Sequence, residues 1–528
     1  MNATLMAAAA VVLMTSCSDP NAAPRATVGG ETLEGVRSGE VAVFKGIPYA
    51  QPPVGPLRWK PPISRLAGAG VRSAAAFGAS CMQPPSDMVN FITAAAKVIG
   101  AADKVTDQPL KTDEDCLSLN IWTGSMGSAP KPVMVWIHGG GNYLGSSSEA
   151  MYDGAALARR GVVVVTINYR LGVFGFLAHP ALAAESPHEA AGNYGLMDQL
   201  EALRWVQHNI RAFGGDSSRV TVFGQSAGAL DVTLLMASPQ AKGLFQGAIA
   251  ESGAPMTGMP DLKTSGDAGV ALARKLGADT ARDPLAALRA MRAGDVLAAA
   301  SIYGPNVDGW VLPDVAARIF ERGEQLGVPL LTGTNALEWA SVAPVAPLGF
   351  ELTAKGYRNW VTAATGPAAP RVLQLLPASS AGDVERAGLQ LMTYFMFTCP
   401  TRLAARAVSK SGHPAYLYQF TRVPPGAEKL GAFHLLEIPY VFGNPPAWIP
   451  RDQTDDRLRA AIMDYWVRFA TTGDPNGGTA PTWPAYEASG EPYLNLGDTV
   501  TPKAGMTKDV CEALEPGMRG AWAMVTPK

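Results

Sequence analysis

The chain has 528 residues, a formal net charge of −2 and 17% charged residues. Soluble proteins carry about 25% charged residues, so this sparse and nearly neutral charge argues against a nucleic-acid-binding protein. A hydrophobic content of 47% argues against a disordered chain. No apolar run reaches the about 20 residues that a membrane-spanning helix needs.

The amino-terminal segment resembles an export signal. Residues 3–14 form an apolar stretch that is too short to span a membrane. We therefore predict a signal peptide over residues 1–26 and an exported protein that is periplasmic, outer-membrane-anchored or secreted. Small residues before Cys17 resemble a bacterial lipoprotein cleavage site, so Cys17 is the candidate for a lipid anchor and for any membrane contact. Cleavage of an ordinary signal peptide near Ala22 is the alternative.

Apolar, β-branched runs alternate with helical patterns along the remainder of the chain. Strands are predicted at residues 41–44, 133–137, 162–167, 220–223, 248–250, 329–332 and 416–420. Helices are predicted at residues 196–212, 227–237, 284–292, 393–408 and 457–471. This alternation indicates an α/β fold with a largely parallel central sheet and helices on both faces. Length alone favours about three to four domains, but no linker or repeat divides the chain, so we predict one domain over residues 27–528.

A glycine-rich loop follows the second predicted strand. His138 precedes three consecutive glycines there, at residues 139–141. Glycines let backbone N–H groups point into a site without obstruction by side chains. Two such donors, together with the amide after a nucleophile, would stabilise a tetrahedral oxyanion.

The chain contains one Gly-x-Ser-x-Gly pentapeptide, Gly-Gln-Ser-Ala-Gly at residues 224–228. It lies between a predicted strand and a predicted helix, which is the context that a nucleophile elbow requires. The glycines allow a turn so tight that larger side chains beside Ser226 would clash. The pattern predicts that Ser226 is a nucleophile.

A serine nucleophile needs a base and an acid, which follow it along the chain in this arrangement. Of the six histidines, only His413 and His434 follow Ser226. His434 lies in a glycine-led loop that enters an apolar segment, which favours it as the base, whereas His413 lies in a turn. Glu338 follows a predicted strand and is the natural acid, with Asp308 as its rival.

Four further segments carry a recognisable pattern. They are Phe-Lys-Gly-Ile-Pro-Tyr-Ala at 44–50, Glu-Asp-Cys-Leu-Ser-Leu-Asn at 114–120, Asn-Tyr-Gly-Leu-Met-Asp-Gln at 193–199 and Glu-Ser-Gly at 251–253. With the pentapeptide, they resemble the type-B carboxylesterases, the α/β-hydrolases that include cholinesterases and bacterial para-nitrobenzyl esterases. The resemblance extends over nearly the whole chain after about residue 27 and implies an α/β-hydrolase fold with inserted loops and helices around a gorge.

The resemblance also implies roles for individual residues. It assigns Ser226, Glu338 and His434 as nucleophile, acid and base, and it favours Glu338 over Asp308. The oxyanion amides would come from Gly140, Gly141 and Ala227. The family pairs cysteines as disulfides, and the corresponding pairs here are Cys81 with Cys116 and Cys399 with Cys511, which leaves Cys17 alone.

Departures from the family pattern concern the substrate. Gln225 stands where cholinesterases carry Glu, and no tryptophan lies between the first two paired cysteines. A quaternary ammonium would therefore lack both a charge and an aromatic face, which argues against a cholinesterase. Asn142 stands where many family members carry Phe, and it would either hydrogen-bond within the loop or contact a polar acyl group of the substrate. Trp339 stands where many members carry Gly, and it would either narrow the substrate pocket or pack against the protein.

These features together predict a serine hydrolase of carboxylic esters that works through an acyl-enzyme intermediate. We expect a small-molecule ester as substrate and neither a metal nor an organic cofactor. Hydrolysis of amide, lactone or thioester bonds is the first alternative, because the same catalytic groups would serve. A non-catalytic binding protein on the same fold is the second alternative.

Overall fold

The computed structural model describes residues 22–523, apart from residues 67, 125, 128 and 257. Cys17 and most of the predicted signal peptide lie outside the described residues. No helix within the described residues is long and apolar enough to cross a membrane.

The strands alternate with helices along most of the chain. In chain order the strands are β1 (Arg25–Val28), β2 (Glu31–Glu34), β3 (Val36–Ser38), β4 (Val41–Pro48), β5 (Gly70–Ser73), β6 (Ser80–Cys81), β7 (Thr112–Asp113), β8 (Ser118–Thr123), β9 (Lys131–Ile137), β10 (Val163–Ile167), β11 (Gly215–Gln225), β12 (Gly247–Glu251), β13 (Leu330–Asn335), β14 (Ala415–Phe420), β15 (Pro492–Leu496) and β16 (Val500–Ala504). The helices are α1 (Asp87–Val98), α2 (Ala155–Ala158), α3 (Gly172–Phe176), α4 (Pro180–Glu185), α5 (Tyr194–Asn209), α6 (Ala227–Ala237), α7 (Leu262–Lys275), α8 (Pro284–Ala290), α9 (Ala293–Ala299), α10 (Ala316–Glu321), α11 (Trp339–Val342), α12 (Ala354–Thr365), α13 (Ala369–Leu375), α14 (Ala381–Thr393), α15 (Cys399–Lys410), α16 (Ile438–Phe442), α17 (Gln453–Thr472) and α18 (Lys508–Ala523).

An 11-stranded sheet forms the centre of the molecule, in the order β16-β15-β14-β13-β12-β11-β9-β10-β8-β4-β3. The strands from β15 to β10 in this order are parallel to their neighbours. Antiparallel strands complete the sheet at both sides. The predicted largely parallel sheet is therefore confirmed, and each predicted strand overlaps an observed one.

Two apolar cores cover the two faces of the sheet, because side chains alternate along each strand. In β9, Val133, Val135 and Ile137 join the core that also contains α5, α6 and α15. Met134 and Trp136 join the opposite core, with α2, α16 and α17. Helices on both faces make the strands fully buried, which explains their continuous apolar sequence.

One predicted helix is interrupted. Residues 393–408 were expected to be continuous, but the structure has a π-helical segment over Tyr394–Thr398 between α14 and α15. The extra residue per turn of a π-helix changes which side chains share a face, and such segments occur frequently at functional sites.

Two disulfides connect distant segments, and they are the pairs that the resemblance implied. Cys81 bonds to Cys116, and Cys399 bonds to Cys511. The second bridge joins the start of α15 to α18 across 112 positions of sequence.

Candidate active site

Parallel strands bring the predicted site residues to one edge of the sheet. β9, β11, β13 and β14 run in the same direction, so their carboxyl ends meet at that edge. Ser226 follows β11 directly, and Glu338 follows β13 after a two-residue turn. His434 lies in the segment between β14 and α16, while the three glycines follow β9. The site is thus assembled from four separate strand ends.

Ser226 occupies a sharp turn between β11 and α6. Its backbone has φ +56° and ψ −123°, a region that residues other than glycine rarely adopt. A Cβ on Gly224 would lie 2.6 Å from the backbone of Gly228, and a Cβ on Gly228 would lie 2.0 Å from the carbonyl oxygen of Ile137. Neither position therefore accepts a side chain, which confirms the elbow geometry expected from the pentapeptide.

A short hydrogen bond joins His434 to Glu338. Nδ1 of His434 lies 2.6 Å from Oε2 of Glu338. The other carboxylate oxygen accepts the backbone N–H of Asn335 at 2.6 Å. Glu338 is completely buried and His434 nearly so. A carboxylate can only accept a hydrogen bond, so this contact suits the imidazole tautomer that carries its proton on Nδ1.

The hydroxyl of Ser226 has no hydrogen bond to His434 among the described residues. Instead, Nε2 of Gln225 lies 3.3 Å from Nε2 of His434, while Oε1 of Gln225 is buried with no partner in the part of the chain that the structure describes. Catalytic hydrogen bonds are often long in an enzyme without substrate and tighten only when substrate binds. Ser226 is half-buried, so its side chain can be reached from solvent.

The glycine loop lies directly against the elbow. A Cβ on Gly139 would lie 3.1 Å from the Cβ of Ser226. Gly140 and Gly141 have φ +105° and +64°, and within the described residues neither backbone N–H donates to another protein group. Ala227 is the first residue of α6, where backbone N–H groups have no partner inside the helix. The loop and the helix therefore present unpaired donors beside Ser226.

Asn142 hydrogen-bonds within the protein. Its Nδ2 donates to Oδ1 of Asp231 at 2.9 Å, and the side chain is buried. This contact agrees with the first of the two roles considered for Asn142, a hydrogen bond that holds the loop. Asp231 was not among the residues predicted from the sequence, although an acidic residue in the apolar pattern of residues 227–237 was an available signal.

Two aromatic side chains, Phe397 and Trp339, lie beside His434. The ring of Phe397, in the π-helical segment, lies 4.9 Å from the His434 ring and 6.3 Å from the Trp339 ring. Trp339 is half-buried at the start of α11. These rings give the site an apolar side next to the imidazole.

The two rival residues lie in other environments. The Asp308 carboxylate accepts the backbone N–H groups of Trp310 and Leu312 at 3.1 and 2.9 Å, so it anchors its own loop. His413 lies before the amino end of β14, at the edge of the sheet opposite the other site residues. Only Glu338 and His434 come together.

Further buried carboxyl groups lie behind Glu338, and the sequence argument did not assign them a role. Glu437 accepts hydrogen bonds from the side-chain amide of Asn335 and from the hydroxyl of Ser252. Glu251 accepts the indole N–H of Trp466 at 2.8 Å. Glu437 follows His434 by three positions in an otherwise apolar segment, which was the signal that could have revealed it.

Burial controls the protonation of these carboxyl groups. Desolvation raises the pKa of Glu437 above its ordinary value, the negative charge of Glu338 adds to the rise, and His434 opposes it. Desolvation and then the charge of Glu437 raise the pKa of Glu251 well above its ordinary value. Both groups retain protons at a higher pH than exposed carboxyls do, which limits the negative charge behind the Glu338–His434 pair.

Among the described residues, no group of three or more His, Cys, Asp or Glu is arranged to hold a metal ion. The arrangement that the structure does contain is a half-buried serine on a strained turn, a carboxylate–imidazole pair and a loop of unpaired amide donors. That combination suits acyl transfer from an activated carbonyl group.

Comparisons with known proteins agree with this chemistry. A sequence profile described as the carboxylesterase family matches residues 21–514. Fumonisin B1 esterase of Sphingopyxis macrogoltabida is 36% identical over 535 residues, covering 97% of this chain and 93% of that protein. Para-nitrobenzyl esterase of Bacillus subtilis (strain 168) is 36% identical over 490 residues, covering 89% of this chain and 94% of that protein.

Solved structures match equally broadly. A PNB esterase structure aligns with a TM-score of 0.80 at 33% identity, covering 93% of this chain and 99% of the other. A carboxylesterase of Geobacillus stearothermophilus aligns with a TM-score of 0.79 at 32% identity, covering 94% and 99%. The fold and site therefore define an α/β-hydrolase, as predicted. The chain belongs to the carboxylesterase family and is a carboxylic ester hydrolase.

Proposed function

We propose that Ser226, Glu338 and His434 form the catalytic triad of this esterase, and that Gly140, Gly141 and Ala227 supply the oxyanion donors. The observation that carries this assignment is the 2.6 Å contact between Nδ1 of His434 and Oε2 of Glu338 at the sheet edge where Ser226 occupies the elbow. The glycine loop supports it further, because within the described residues the N–H groups of Gly140 and Gly141 donate to no protein group and the loop lies against Ser226.

In the proposed reaction, Nε2 of His434 takes the hydroxyl proton of Ser226 as the serine oxygen attacks the ester carbonyl. Glu338 stabilises the imidazolium and keeps its orientation. The oxyanion of the tetrahedral intermediate accepts the backbone N–H groups. His434 then gives its proton to the departing alcohol, which leaves the acyl group on Ser226. Water, deprotonated by His434, releases the acid and restores the serine.

This mechanism requires the Nε2 atom of His434 to exchange partners. Nε2 now faces the amide of Gln225, at a distance longer than most hydrogen bonds. An incoming ester that fills the site would bring the Ser226 hydroxyl and Nε2 together, since the contact with Gln225 is weak. Gln225 thus lies beside the imidazole as a neutral neighbour that adds no charge to the base.

The assignment is tested with para-nitrophenyl esters of several acyl lengths. Ser226→Ala should lower kcat by about 10⁴-fold or more, because the acyl-enzyme cannot form. Ser217→Ala, at the other end of β11, is the matched control and should retain wild-type turnover. Retained turnover in Ser226→Ala, or covalent labelling of that variant by a fluorophosphonate, would contradict the proposed nucleophile.

For the substrate, we propose an ester whose acyl or alcohol part packs against Trp339 and Phe397. The apolar rings beside His434 support this side of the site. Two relatives at 36% identity are named for fumonisin B1 and para-nitrobenzyl esters, so both compounds belong in the substrate panel. Amide, lactone and thioester analogues in the same panel measure the bond preference. Equal kcat/KM for amides and esters would contradict an ester preference.

For the location, we propose export, with Cys17 as the lipid-bearing residue. The two disulfides support export, because such bonds persist in oxidising compartments. Mass spectrometry of the mature amino terminus tests the lipid. A diacylated Cys17 is expected, and an unmodified terminus downstream of it would contradict the anchor.

A further inference from the structure

The carboxylate of Asp231 is buried in an unusual environment. Asp231 lies on α6, little more than one helical turn after Ser226, and is completely buried. In the described part of the chain, it has no salt bridge. Its two oxygens accept the side-chain amides of Asn142 at 2.9 Å and Gln199 at 2.6 Å. A buried carboxylate without a cation is costly, so its position calls for an explanation beyond packing.

Asp231 connects the helix of the nucleophile to the glycine loop. The start of that loop already touches α6, because a Cβ on Gly228 would lie 2.0 Å from the carbonyl oxygen of Ile137. Asn142 is the residue directly after Gly141, and its hydrogen bond to Asp231 attaches the end of the loop to the same helix. The loop is therefore held by α6 at both ends, with Gly140 and Gly141 between them.

The backbone of Asn142 is fixed as well. Its φ is +60°, and its carbonyl oxygen accepts the backbone N–H of Gly172 at 2.7 Å. Gly140 and Gly141 also have positive φ, and Gly141 is exposed to solvent. The carbonyl oxygen of Gly140 accepts the backbone N–H groups of Tyr143 and Leu144 at 3.1 and 2.9 Å. Because a loop of glycines has many accessible conformations, the contacts of Asn142 add a restraint on the segment directly after Gly141.

We propose that Asp231 is a positioning residue for ester hydrolysis: through Asn142, it holds the Gly140 and Gly141 amides in register with Ser226. The inference rests on the proposed function, since it assumes that these amides receive the oxyanion. It predicts that the loss of Asp231 weakens transition-state stabilisation while the binding of the ground-state ester is retained. Asp231 does not touch the substrate.

Two amide oxygens next to Asp231 make Asp231→Asn a conservative variant. Among the residues that the structure describes, Oδ1 of Asn142 and Oε1 of Gln199 are buried and have no hydrogen-bond partner. In Asp231→Asn, the new carbonyl oxygen accepts one amide, and the new NH₂ group can donate to the oxygen of the other amide once that amide has turned. Asp231→Asn therefore retains the connection without a charge, whereas Asp231→Ala removes it.

The test measures kcat and KM for para-nitrophenyl acetate in Asp231→Ala, Asp231→Asn and Asn142→Gly. Glycine suits the positive φ at position 142, so the last variant keeps the proposal testable if Asp231→Ala does not fold. Asp231→Ala and Asn142→Gly should each lower kcat by about 10- to 100-fold with KM within about threefold, which is less than the loss of a whole oxyanion donor. Asp231→Asn should retain most of the wild-type kcat. The double variant Asp231→Ala with Asn142→Gly should lose no more kcat than either of these single variants.

A trifluoromethyl ketone supplies a second readout, because it forms an oxyanion adduct with an active-site serine. Its affinity should fall by the same factor as kcat in Asp231→Ala. Asp308→Ala is the matched control: it removes a buried carboxylate that anchors another loop and should leave kcat within about threefold of wild type. Unchanged kcat, additive losses in the double variant or a loss confined to KM would overturn the inference. Turnover that survives in Ser226→Ala would instead overturn the proposed function.

Discussion

The free energy of unfolding of this esterase should depend on pH through the charge of Asp231, and the substitution Asp231→Asn should remove that contribution. Burial raises the pKa of Asp231 from 3.8 to about 7, while the hydrogen bonds from Asn142 and Gln199 oppose the rise. The folded state therefore binds more protons than the unfolded state between these two pH values. It follows that the free energy of unfolding falls as pH rises through this window and stays low above it.

The size of the effect follows from the shift. A difference of about three pKa units corresponds to about 4 kcal/mol, and somewhat more than half of it, about 2.6 kcal/mol, lies between pH 5 and pH 8. The unfolding entropy is about 2.1 cal/mol/K per residue, or about 1 kcal/mol/K for a chain of about 500 residues. The melting temperature of Asp231→Asn should therefore rise relative to wild type by about 3 °C between pH 5 and pH 8.

Differential scanning calorimetry of both proteins at pH 5, 6, 7 and 8 measures this gap. Other groups that titrate nearby, such as His138 and Glu437, are common to both proteins and cancel in the difference. If the melting temperature of Asp231→Asn minus that of wild type is constant across this pH range, or falls as pH rises, Asp231 is not buried at an electrostatic cost.

Three further substitutions test other parts of the structure. Glu338→Gln should lower kcat by about 10⁴-fold with little change in melting temperature, because the amide no longer fixes the imidazole tautomer; a loss below tenfold would contradict its role as the acid. Trp339→Ala should raise KM for aromatic esters more than for acetate esters in a steady-state assay, and equal changes would place the ring outside the pocket. The double change Cys399→Ser and Cys511→Ser should lower the free energy of unfolding by about 4–5 kcal/mol, given a closed loop of 112 positions. Calorimetry measures this loss, and an unchanged melting temperature would show that the bridge adds no stability.

The sequence was most informative where the structural requirement is local. The elbow depends on five consecutive residues, 224–228, and each glycine there is needed because a side chain would meet neighbouring backbone. The parallel strands were predicted because burial on both faces requires continuous apolar runs. The choice between Glu338 and Asp308, by contrast, needed the family resemblance, because the predicted strand before Glu338 favoured it without excluding Asp308.

The features that the sequence did not reveal depend on contacts between distant positions. Asn142 and Asp231 are 89 positions apart, and Asn335 and Glu437 are 102 positions apart. Nothing in either local sequence specifies its partner, so an acidic residue in an apolar segment could be noticed but not explained. The π-helical segment over Tyr394–Thr398 was missed for a similar reason, because helical periodicity gives no indication of one extra residue in a turn.

The dispersed origin of the site makes catalysis a probe of assembly. Its parts follow β9, β11, β13 and β14, strands that span residues 131 to 420 of the chain. A partly folded chain could keep most of its helices and still lack one of these strand ends, and it would then hydrolyse nothing. During refolding, recovery of turnover should therefore follow the pairing of the last parallel strand rather than the earlier recovery of the helical circular dichroism signal.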